Sequence, residues 1–279
     1  VVRTPAPDDP RLMLERLGEK FPAIAPELAL LGRCGPRLAD VLTGKCNPLE
    51  LLFPDGNLSA TARLYDSSPA ERAMNGLLAK AMARLVSELP AGRMLRVLEI
   101  GAGTGSATRA LLPVLPADRT EYAFTDISPL FLARAAEAFG EQRGLRCALL
   151  NIEQPPKPQG FEPGSFDVVV AANVLHATRD LRRTFAHIRG LLQPGGAILI
   201  LEGTARLNWL DLIFGLTDGW WRFSDIDIRP DHPLIGPDRW TAVMEAAGFE
   251  SPAAIIPEPQ FRTTLANQAI FIAVNRHGS

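Results

Sequence analysis

The sequence predicts an α/β fold with a mostly parallel sheet of seven strands, and three observations support this prediction. Short apolar segments alternate with helical patterns from about residue 95 onward, which is typical of a parallel sheet covered by helices on both faces. A glycine-rich turn joins the first of these strands to a helix. Residues 10–90 carry interrupted helical patterns and no β-alternation, which indicates a helical N-terminal segment before the sheet.

Length and composition fit one large α/β domain and exclude several classes of protein. The chain has 279 residues, 47% of them hydrophobic and 22% charged, which argues against wholesale disorder. Lys and Arg number 29 against 31 Asp and Glu, so there is no basic surplus for nucleic acid or an anionic membrane. Cys34, Cys46 and Cys147 have no CxxC spacing, so we expect no disulfide framework, no zinc knuckle and a reducing, cytoplasmic location.

We expect residues 1–90 to form a helical N-terminal lid and residues 91–279 to form the core of the domain. Helices are predicted at residues 10–20, 36–42, 48–53 and 69–89. The first residues lack the charged start and apolar core of a signal peptide. The chain begins without Met, so we expect it to be a segment of a longer protein. No apolar stretch reaches the roughly 18 residues that a membrane span needs.

The core alternates strands and helices along the chain. Strands are predicted at residues 95–100, 122–125, 146–150, 166–172, 197–201, 253–256 and 269–274. Helices are predicted at residues 106–115, 129–139, 180–191 and 237–247. Residues 203–237 contain Trp209, Trp220 and Trp221 without a clean period, and we expect them to form a cap inserted over the carboxyl edge of the sheet.

The glycine-rich turn after the first strand has the composition of a ligand site. Gly101, Gly103 and Gly105 stand between Glu99 at the end of the strand and Ser106 at the start of the helix. Glycines in this position let backbone amides approach a ligand closely. A dinucleotide fingerprint needs a glycine at position 106, so the pattern disfavours NAD. The alternative is a strand-to-helix turn that holds no ligand.

Two further segments end at the same edge of the predicted sheet. Asp126 ends the second strand, close to the spacing of about 20 residues at which an acid meets a cofactor ribose. The alternative for Asp126 is a cap of the helix that starts at Pro129, although Ser128 is the better capping residue. Asn151 and Ile152 follow the third strand, where the Asn151 amide could read adenine or belong to an ordinary loop.

A histidine and a glutamate follow the fourth and fifth predicted strands. His176 comes after the first of these and Glu202 directly ends the second. If the two strands are neighbours, their axes lie about 4.8 Å apart and both side chains meet at the carboxyl edge. A carboxylate orients an imidazole, and the ordinary pKa of histidine suits a general base near neutral pH. The pair could therefore remove a proton from a carbon atom. Alternatively, His176 caps the next helix and Glu202 is a solvated acid.

These residues carry a resemblance to a known family. The segment from Glu99 to Gly105, Asp126, residues 151–153, the run Asn-Val-Leu-His-Ala-Thr at 173–178 and Leu-Glu-Gly-Thr at 201–204 resemble a class I S-adenosylmethionine-dependent methyltransferase. The resemblance covers roughly residues 60 to 275 and is greatest to the C-methyltransferase domains embedded in polyketide synthases. It implies a Rossmann-like fold. The family usually carries an acid where this chain has Asn151.

The resemblance also implies roles for individual residues. It implies a catalytic His176 paired with Glu202, and Tyr65, in Leu-Tyr-Asp-Ser-Ser-Pro at 64–69, near the substrate. Together with the argument from the strand ends, it leads to one set of expected cofactor-binding residues: Glu99, Gly101, Gly103, Gly105, Asp126, Asn151, Ile152 and Asn173.

The function that the resemblance implies is methyl transfer from S-adenosylmethionine to the α-carbon of a β-ketoacyl thioester. That thioester would be carried on the phosphopantetheine arm of an acyl carrier protein, next to other polyketide synthase domains. Two alternatives remain: an O-methyltransferase of an assembly line, and an inactive domain that serves as a spacer. His187, His232 and His277 form no cluster with metal-ligand spacing, so we expect no catalytic metal.

Overall fold

The fold is a seven-stranded sheet with helices on both faces. The structure is a computed structural model and describes residues 9–54, 59–90, 92–257 and 267–275. The strands lie in the order β3-β2-β1-β4-β5-β7-β6. Neighbours among β1 to β5 are parallel, and β7 runs antiparallel to both β5 and β6. The mostly parallel α/β fold predicted from the sequence is confirmed.

The helices and strands have the following bounds. The strands are β1 (Leu95–Ile100), β2 (Thr120–Asp126), β3 (Leu145–Leu149), β4 (Phe166–Ala172), β5 (Leu192–Gly203), β6 (Phe249–Ile255) and β7 (Gln268–Asn275). The helices are α1 (Pro10–Lys20), α2 (Ala25–Cys34), α3 (Leu38–Leu42), α4 (Pro48–Leu52), α5 (Ser59–Ser67), α6 (Pro69–Ser87), α7 (Ser106–Leu111), α8 (Pro129–Phe139), α9 (Leu181–Leu191), α10 (Asn208–Asp211) and α11 (Pro237–Ala246). Within the described residues, none of these helices is long and apolar enough to cross a membrane.

All seven predicted strands are present, and the differences concern the ends of elements and three helices. Strand β5 begins at Leu192, because the Pro-Gly-Gly run at 194–196 lies inside the strand, at a register shift relative to β4. Helices α2, α5 and α10 are absent from the prediction. Helix α2 carries Pro26 and Gly32, which weaken a helical pattern in sequence, yet Pro26 stands in its first turn, where proline is tolerated.

The chain divides into two compact units, at places other than the expected boundary at residue 90. The first unit comprises residues 1–72 and 208–217, and the second comprises residues 73–207 and 218–279. Most of α6 belongs to the second unit because its residues Met74, Leu78 and Met82 are buried in the same cluster as β1. The segment predicted as a cap at 203–237 is shared, since only its residues 208–217 join the first unit.

The first unit has its own small core. Leu30 of α2 and Leu52 of α4 are buried there together with Leu64 and Ile213. Trp209 packs against the same cluster. Helices α2, α4 and α5 thus each contribute a buried leucine to one cluster within this unit. This packing stabilises them, although isolated helices of their length are marginal in water.

The second unit has one apolar cluster on each face of the sheet. On one face, β1, β2 and β4 pack against α6, α7 and α8. On the other face, Phe185 and Ile188 of α9 and Trp240 and Met244 of α11 cover β1, β4, β5 and β7. Burial of both faces requires the continuous apolar strands seen in the sequence.

The order of the strands creates a crevice at the carboxyl edge of the sheet. Strand β1 lies between β2 and β4, so the chain leaves β1 toward one side and returns through β4 on the other. Ligands of open α/β sheets bind at such a switch point, outside the carboxyl ends of the strands. The turn after β1 and the turn after β4 therefore flank one crevice.

A fully buried ion pair holds the segment after residue 218 to the turn after β4. Arg229 Nε donates to Asp225 Oδ1 at 2.6 Å, and both side chains are 0% exposed. The same guanidinium donates to the carbonyls of His176 and Thr178, at 2.8 and 2.7 Å. Asp225 Oδ2 accepts the N–H of Leu181 at 2.9 Å. Both carboxylate oxygens of Asp225 and all three guanidinium nitrogens of Arg229 thus form hydrogen bonds.

We expect Arg229→Met to lower the free energy of unfolding by about 3 to 5 kcal/mol, because Asp225 and two carbonyls lose their donor inside the protein. The matched control is Arg182→Met, which breaks an ion pair with Asp227 whose side chains are 51% and 67% exposed. That change should cost less than about 1 kcal/mol. Denaturant unfolding of both variants measures the difference, and equal losses would contradict the assignment of Arg229 as a buried anchor.

Candidate active site

The turn after β1 has a backbone that favours glycine at three positions. Gly101, Gly103 and Gly105 have φ values of +58°, +53° and +76°. A Cβ atom on Gly101 would lie 2.3 Å from Cγ2 of Val174, which belongs to the turn after β4. The two turns are therefore in direct contact across the switch point, and this approach requires a residue without a side chain at position 101.

Asp126 connects the end of β2 to the glycine turn. Its carboxylate is 5% exposed and accepts the N–H groups of Gly103 at 3.0 Å and Ser128 at 2.7 Å. Burial raises the pKa of Asp126 above its ordinary value, and these backbone hydrogen bonds act in the opposite direction. Ser128 stands at the N-cap of α8 but makes no capping bond with its side chain. The local bond to the helix start therefore comes from Asp126.

Glu99 lies inside the protein next to the same turn. It is 1% exposed, and its Oε2 accepts hydrogen bonds from Thr108 Oγ1 at 2.5 Å and Tyr122 OH at 2.6 Å. Burial raises the pKa of Glu99 to about 7, while both hydroxyl groups act to lower it. The side chain thus joins β1 to α7 and β2.

The segment after β3 is held by its own polar groups. Asn151 Oδ1 accepts the N–H of Glu153 at 3.0 Å, and its backbone N–H donates to Gln159 Oε1 at 2.8 Å. Ile152 is buried, and its carbonyl accepts a hydrogen bond from His187 Nδ1 at 2.7 Å. His187 therefore has a structural contact. The Asn151 amide oxygen, a predicted adenine contact, already takes part in this local turn.

Asn173 begins the turn after β4 in an unusual backbone conformation. Its φ is +52°, in the left-handed region that Asn tolerates better than most residues. Its N–H donates to the carbonyl of Leu201 at 2.7 Å, and its Oδ1 accepts from Gln268 Nε2 at 3.1 Å. These bonds turn the chain away from β4 and direct the next three residues toward the end of β5.

Glu202 organises that turn through a single buried carboxylate. The residue is 0% exposed, and Oε1 accepts the backbone N–H groups of Val174, Leu175 and His176 at 2.9, 2.6 and 3.3 Å. Oε2 lies 2.7 Å from Nδ1 of the His176 ring. The carboxylate therefore accepts hydrogen bonds from three consecutive backbone N–H groups and also contacts the ring of the third of these residues.

This arrangement leaves His176 with one free nitrogen for chemistry. The ring is 11% exposed, and a carboxylate on Nδ1 means that Nδ1 carries the proton in the neutral imidazole. The lone pair is then on Nε2. Neither part of the alternative interpretation holds, since Asp180 caps α9 and Glu202 is fully buried.

Two features around His176 are not predicted by the sequence. The His176 ring packs edge-on against Trp220, with centroids 5.2 Å apart. The carbonyl of His176 is held by Arg229, as described above. The spacing of Asp225 and Arg229, four residues apart, is a sequence signal for an ion pair, but only the fold shows that its target is the His176 turn.

Tyr65 and His232 have contacts of their own. Tyr65 belongs to the first unit, where its ring centroid is 6.5 Å from that of Phe214. His232 is 5% exposed, and its Nδ1 accepts the N–H of Leu234 at 3.1 Å. His277 lies outside the described residues. No group of three or more His, Cys, Asp or Glu within the described part of the chain is arranged to hold a metal ion.

Comparison with known proteins places this geometry in a family. A family model described as a methyltransferase domain matches residues 98–198. The non-reducing polyketide synthase mapC of Penicillium brevicompactum is 40% identical over 240 residues, which is 83% of this chain and 10% of that protein. Polyketide synthase ThaQ of Burkholderia thailandensis is 41% identical over 223 residues, 77% of this chain and 11% of that protein. The chain thus spans about a tenth of the length of these relatives.

Three solved structures are similar over nearly the whole chain. The CurJ carbon methyltransferase has a TM-score of 0.93 and 40% identity, over 99% of this chain and 73% of that one. The CMeT domain of citrinin polyketide synthase has a TM-score of 0.87 and 32% identity, over 98% and 71%. The trans-methyltransferase CalH, in complex with SAH, has a TM-score of 0.75 and 32% identity, over 95% and 71%. The chain therefore belongs to the carbon methyltransferase domains of polyketide synthases, a family of S-adenosylmethionine-dependent enzymes.

Proposed function

We propose that this domain methylates the α-carbon of a β-ketoacyl thioester, which is tethered to an acyl carrier protein within a polyketide synthase. The observation that carries the proposal is the contact of His176 Nδ1 with the buried Glu202 carboxylate at 2.7 Å, at the carboxyl edge of the sheet. Methylation at carbon needs a base strong enough to remove an α-proton, and a histidine oriented by a carboxylate supplies one.

The residues around the turn after β1 fit S-adenosylmethionine. Gly101, Gly103 and Gly105 have positive φ values, and the Gly101 position has no room for a Cβ, so backbone rather than side chains forms this wall of the crevice. The buried Asp126 carboxylate uses one N–H bond on each oxygen, which leaves acceptor capacity for the hydroxyls of a ribose. Beside it, Ile127 is 64% exposed, an apolar side chain suited to cover an adenine ring.

In the proposed site, the remaining predicted cofactor residues hold the backbone that surrounds the cofactor. Glu99 holds β1, β2 and α7 together behind the glycine turn. Asn151 and Ile152 shape the backbone after β3, and Asn173 sets the direction of the turn after β4. Their proposed role is therefore to form the walls of the cofactor site, with the Asn151 side chain engaged in its own turn.

In the proposed reaction, His176 Nε2 removes the α-proton, because Nδ1 is occupied by Glu202. The ketone and the thioester carbonyl delocalise the resulting negative charge, so one oriented base suffices. Glu202 stabilises the imidazolium that forms, at 2.7 Å from Nδ1, and its three backbone contacts prevent the ring from turning away. S-adenosylmethionine, when bound, supplies the electrophilic methyl group for the carbanion.

The carrier protein, the neighbouring domains and the role of Tyr65 are parts of the same proposal. Relatives of this chain are polyketide synthases about ten times its length, which supports a place among further domains of such an enzyme. For Tyr65, the support is the resemblance of residues 64–69 to the family motif. A hydroxyl at this position would position the acyl substrate by a hydrogen bond.

We expect Asp126→Asn to weaken S-adenosylmethionine binding by about 1 to 3 kcal/mol, because a charge-assisted acceptor becomes a neutral one. The amide oxygen of Asn can still accept one backbone N–H, so the fold should persist. Calorimetric titration measures the affinity, and Asp118→Asn, an exposed change just before β2, serves as the matched control. An unchanged affinity in Asp126→Asn would remove this residue from the cofactor site.

We expect His176→Ala to lower kcat by about 10² to 10⁴, with cofactor affinity nearly unchanged, because a general base is lost. Glu202→Gln keeps the shape and removes the charge, so it should cost less. In the double variant the losses should not add, since Glu202 acts on the reaction only through His176. Glu121→Gln, an acid 61% exposed on β2, controls for the change of charge.

These kinetics are compared in variants whose secondary structure and cofactor binding are intact. Strict additivity of the two losses would mean that His176 and Glu202 act separately, and the assignment of the base would then be wrong.

We expect the new methyl group on the α-carbon and no dependence on added divalent metal, because the two carbonyls of the substrate supply the acidity. The domain is incubated with S-adenosylmethionine and a β-ketoacyl carrier protein, and NMR locates the methyl group. A methyl ether as the product would favour the O-methyltransferase alternative. Binding of the cofactor without any transfer would favour an inactive domain.

A further inference from the structure

A second polar cleft lies beside the active-site turn and has no part in the proposed proton transfer. Its volume is about 460 Å³, and its walls come from the segment after β3, the start of α9 and residues 222–224. Three arginines, Arg179, Arg183 and Arg222, line it. All three side chains are exposed to solvent in this cleft.

The acidic side chains of the cleft are already engaged by the protein. Glu153 Oε1 accepts the backbone N–H of Arg179 at 2.6 Å, and Asp180 Oδ1 accepts that of Arg182 at 2.8 Å. Just outside the cleft, Asp227 pairs with Arg182 and Asp225 pairs with Arg229. The nearby carboxylates thus satisfy backbone groups and other arginines.

The three guanidinium groups remain without a carboxylate. Among the residues that the structure describes, none of Arg179, Arg183 and Arg222 forms an ion pair or a side-chain hydrogen bond. Three cations and two engaged carboxylates leave the cleft with a positive surplus. An anion would satisfy them, and the planar fork of a guanidinium matches the oxygens of a phosphate.

The backbone that carries these arginines is fixed. The carbonyl of Arg179 accepts both the N–H and the hydroxyl of Ser224, at 2.7 and 3.1 Å. The preceding carbonyl, that of Thr178, accepts from the buried Arg229 at 2.7 Å. These bonds tie the walls of the cleft to each other, so only the arginine side chains need to be ordered by a ligand.

We propose that this cleft binds the phosphate of the phosphopantetheine arm that carries the acyl substrate, an inference that rests on the proposed function. Arg179 follows His176 by three residues, so their Cα atoms are at most about 11 Å apart. A phosphate at Arg179 therefore lies within reach of an arm whose thioester end meets His176. Several guanidinium groups around one recess suit a single phosphate with several oxygens better than dispersed carboxylates of a protein surface.

The test compares substrates that differ only in the phosphate. The same β-ketoacyl group is supplied as a thioester of pantetheine, as a thioester of pantetheine 4′-phosphate, and on the intact carrier protein. The variants are Arg179→Gln, Arg183→Gln and Arg222→Gln, singly and combined. The matched control is Arg143→Gln, an exposed arginine just before β3, at the opposite edge of the sheet.

We expect the combined variant to raise KM at least about tenfold for both phosphate-containing substrates, the scale of one lost charge-assisted contact. KM for the pantetheine thioester, kcat and the affinity for S-adenosylmethionine should stay within about twofold of the wild type. Equal KM changes for all three substrates, or none, would overturn the proposal. A change confined to the carrier protein would mean that the arginines meet the carrier surface, and this also overturns it.

A direct titration separates this inference from the proposed function. Pantetheine 4′-phosphate should bind the wild-type domain more tightly than pantetheine, and the difference should vanish in the combined variant. If the domain methylates no thioester, the proposed function fails, and the titration alone then decides whether the cleft binds the phosphate. Equal binding of the two compounds by the wild type would overturn the phosphate site.

Discussion

The active-site edge of this domain depends on one buried carboxylate. Glu202 has no solvent exposure, and the cost of burying its charge is offset because it accepts three backbone N–H groups and the His176 ring nitrogen. Those four bonds determine the path of the chain after β4. The orientation of the proposed base is therefore set by the hydrogen bonds of a buried carboxylate. Rotating the imidazole away would leave Glu202 Oε2 without this hydrogen-bond partner.

The same turn is held from other directions. Gly101 allows the turn after β1 to touch Val174, so the proposed cofactor site and the proposed base share one contact across the switch point. From the far side, Arg229 holds the carbonyls of His176 and Thr178 and is itself neutralised by Asp225. Backbone N–H groups meet Glu202 and backbone carbonyls meet Arg229. A short irregular turn thus has the fixed geometry that proton transfer requires.

Apolar burial and polar contacts determine different features of the second unit. The two apolar clusters position β1, β4 and β5 side by side, which brings the ends of these strands to one edge. Directional hydrogen bonds of Asp126, Glu99 and Glu202 then set where each turn goes. Hydrophobic burial has no direction, so it selects the layers of the fold, while the orientation of single atoms at the edge comes from the bonds.

The sequence by itself determined the sheet and the glycine turn, because these depend on local periodicity. It also determined that Asp126, His176 and Glu202 come at or after the ends of successive strands, because this depends on residue types at strand ends. It did not reveal α2, α5 and α10, whose helical patterns are weak without their packing partners. Only the tertiary structure decided that Asn151 binds its own turn and that Glu99 meets Tyr122 and Thr108. It also decided that Arg229 reaches His176, since such contacts join residues distant in the chain and depend on how the strands and turns pack.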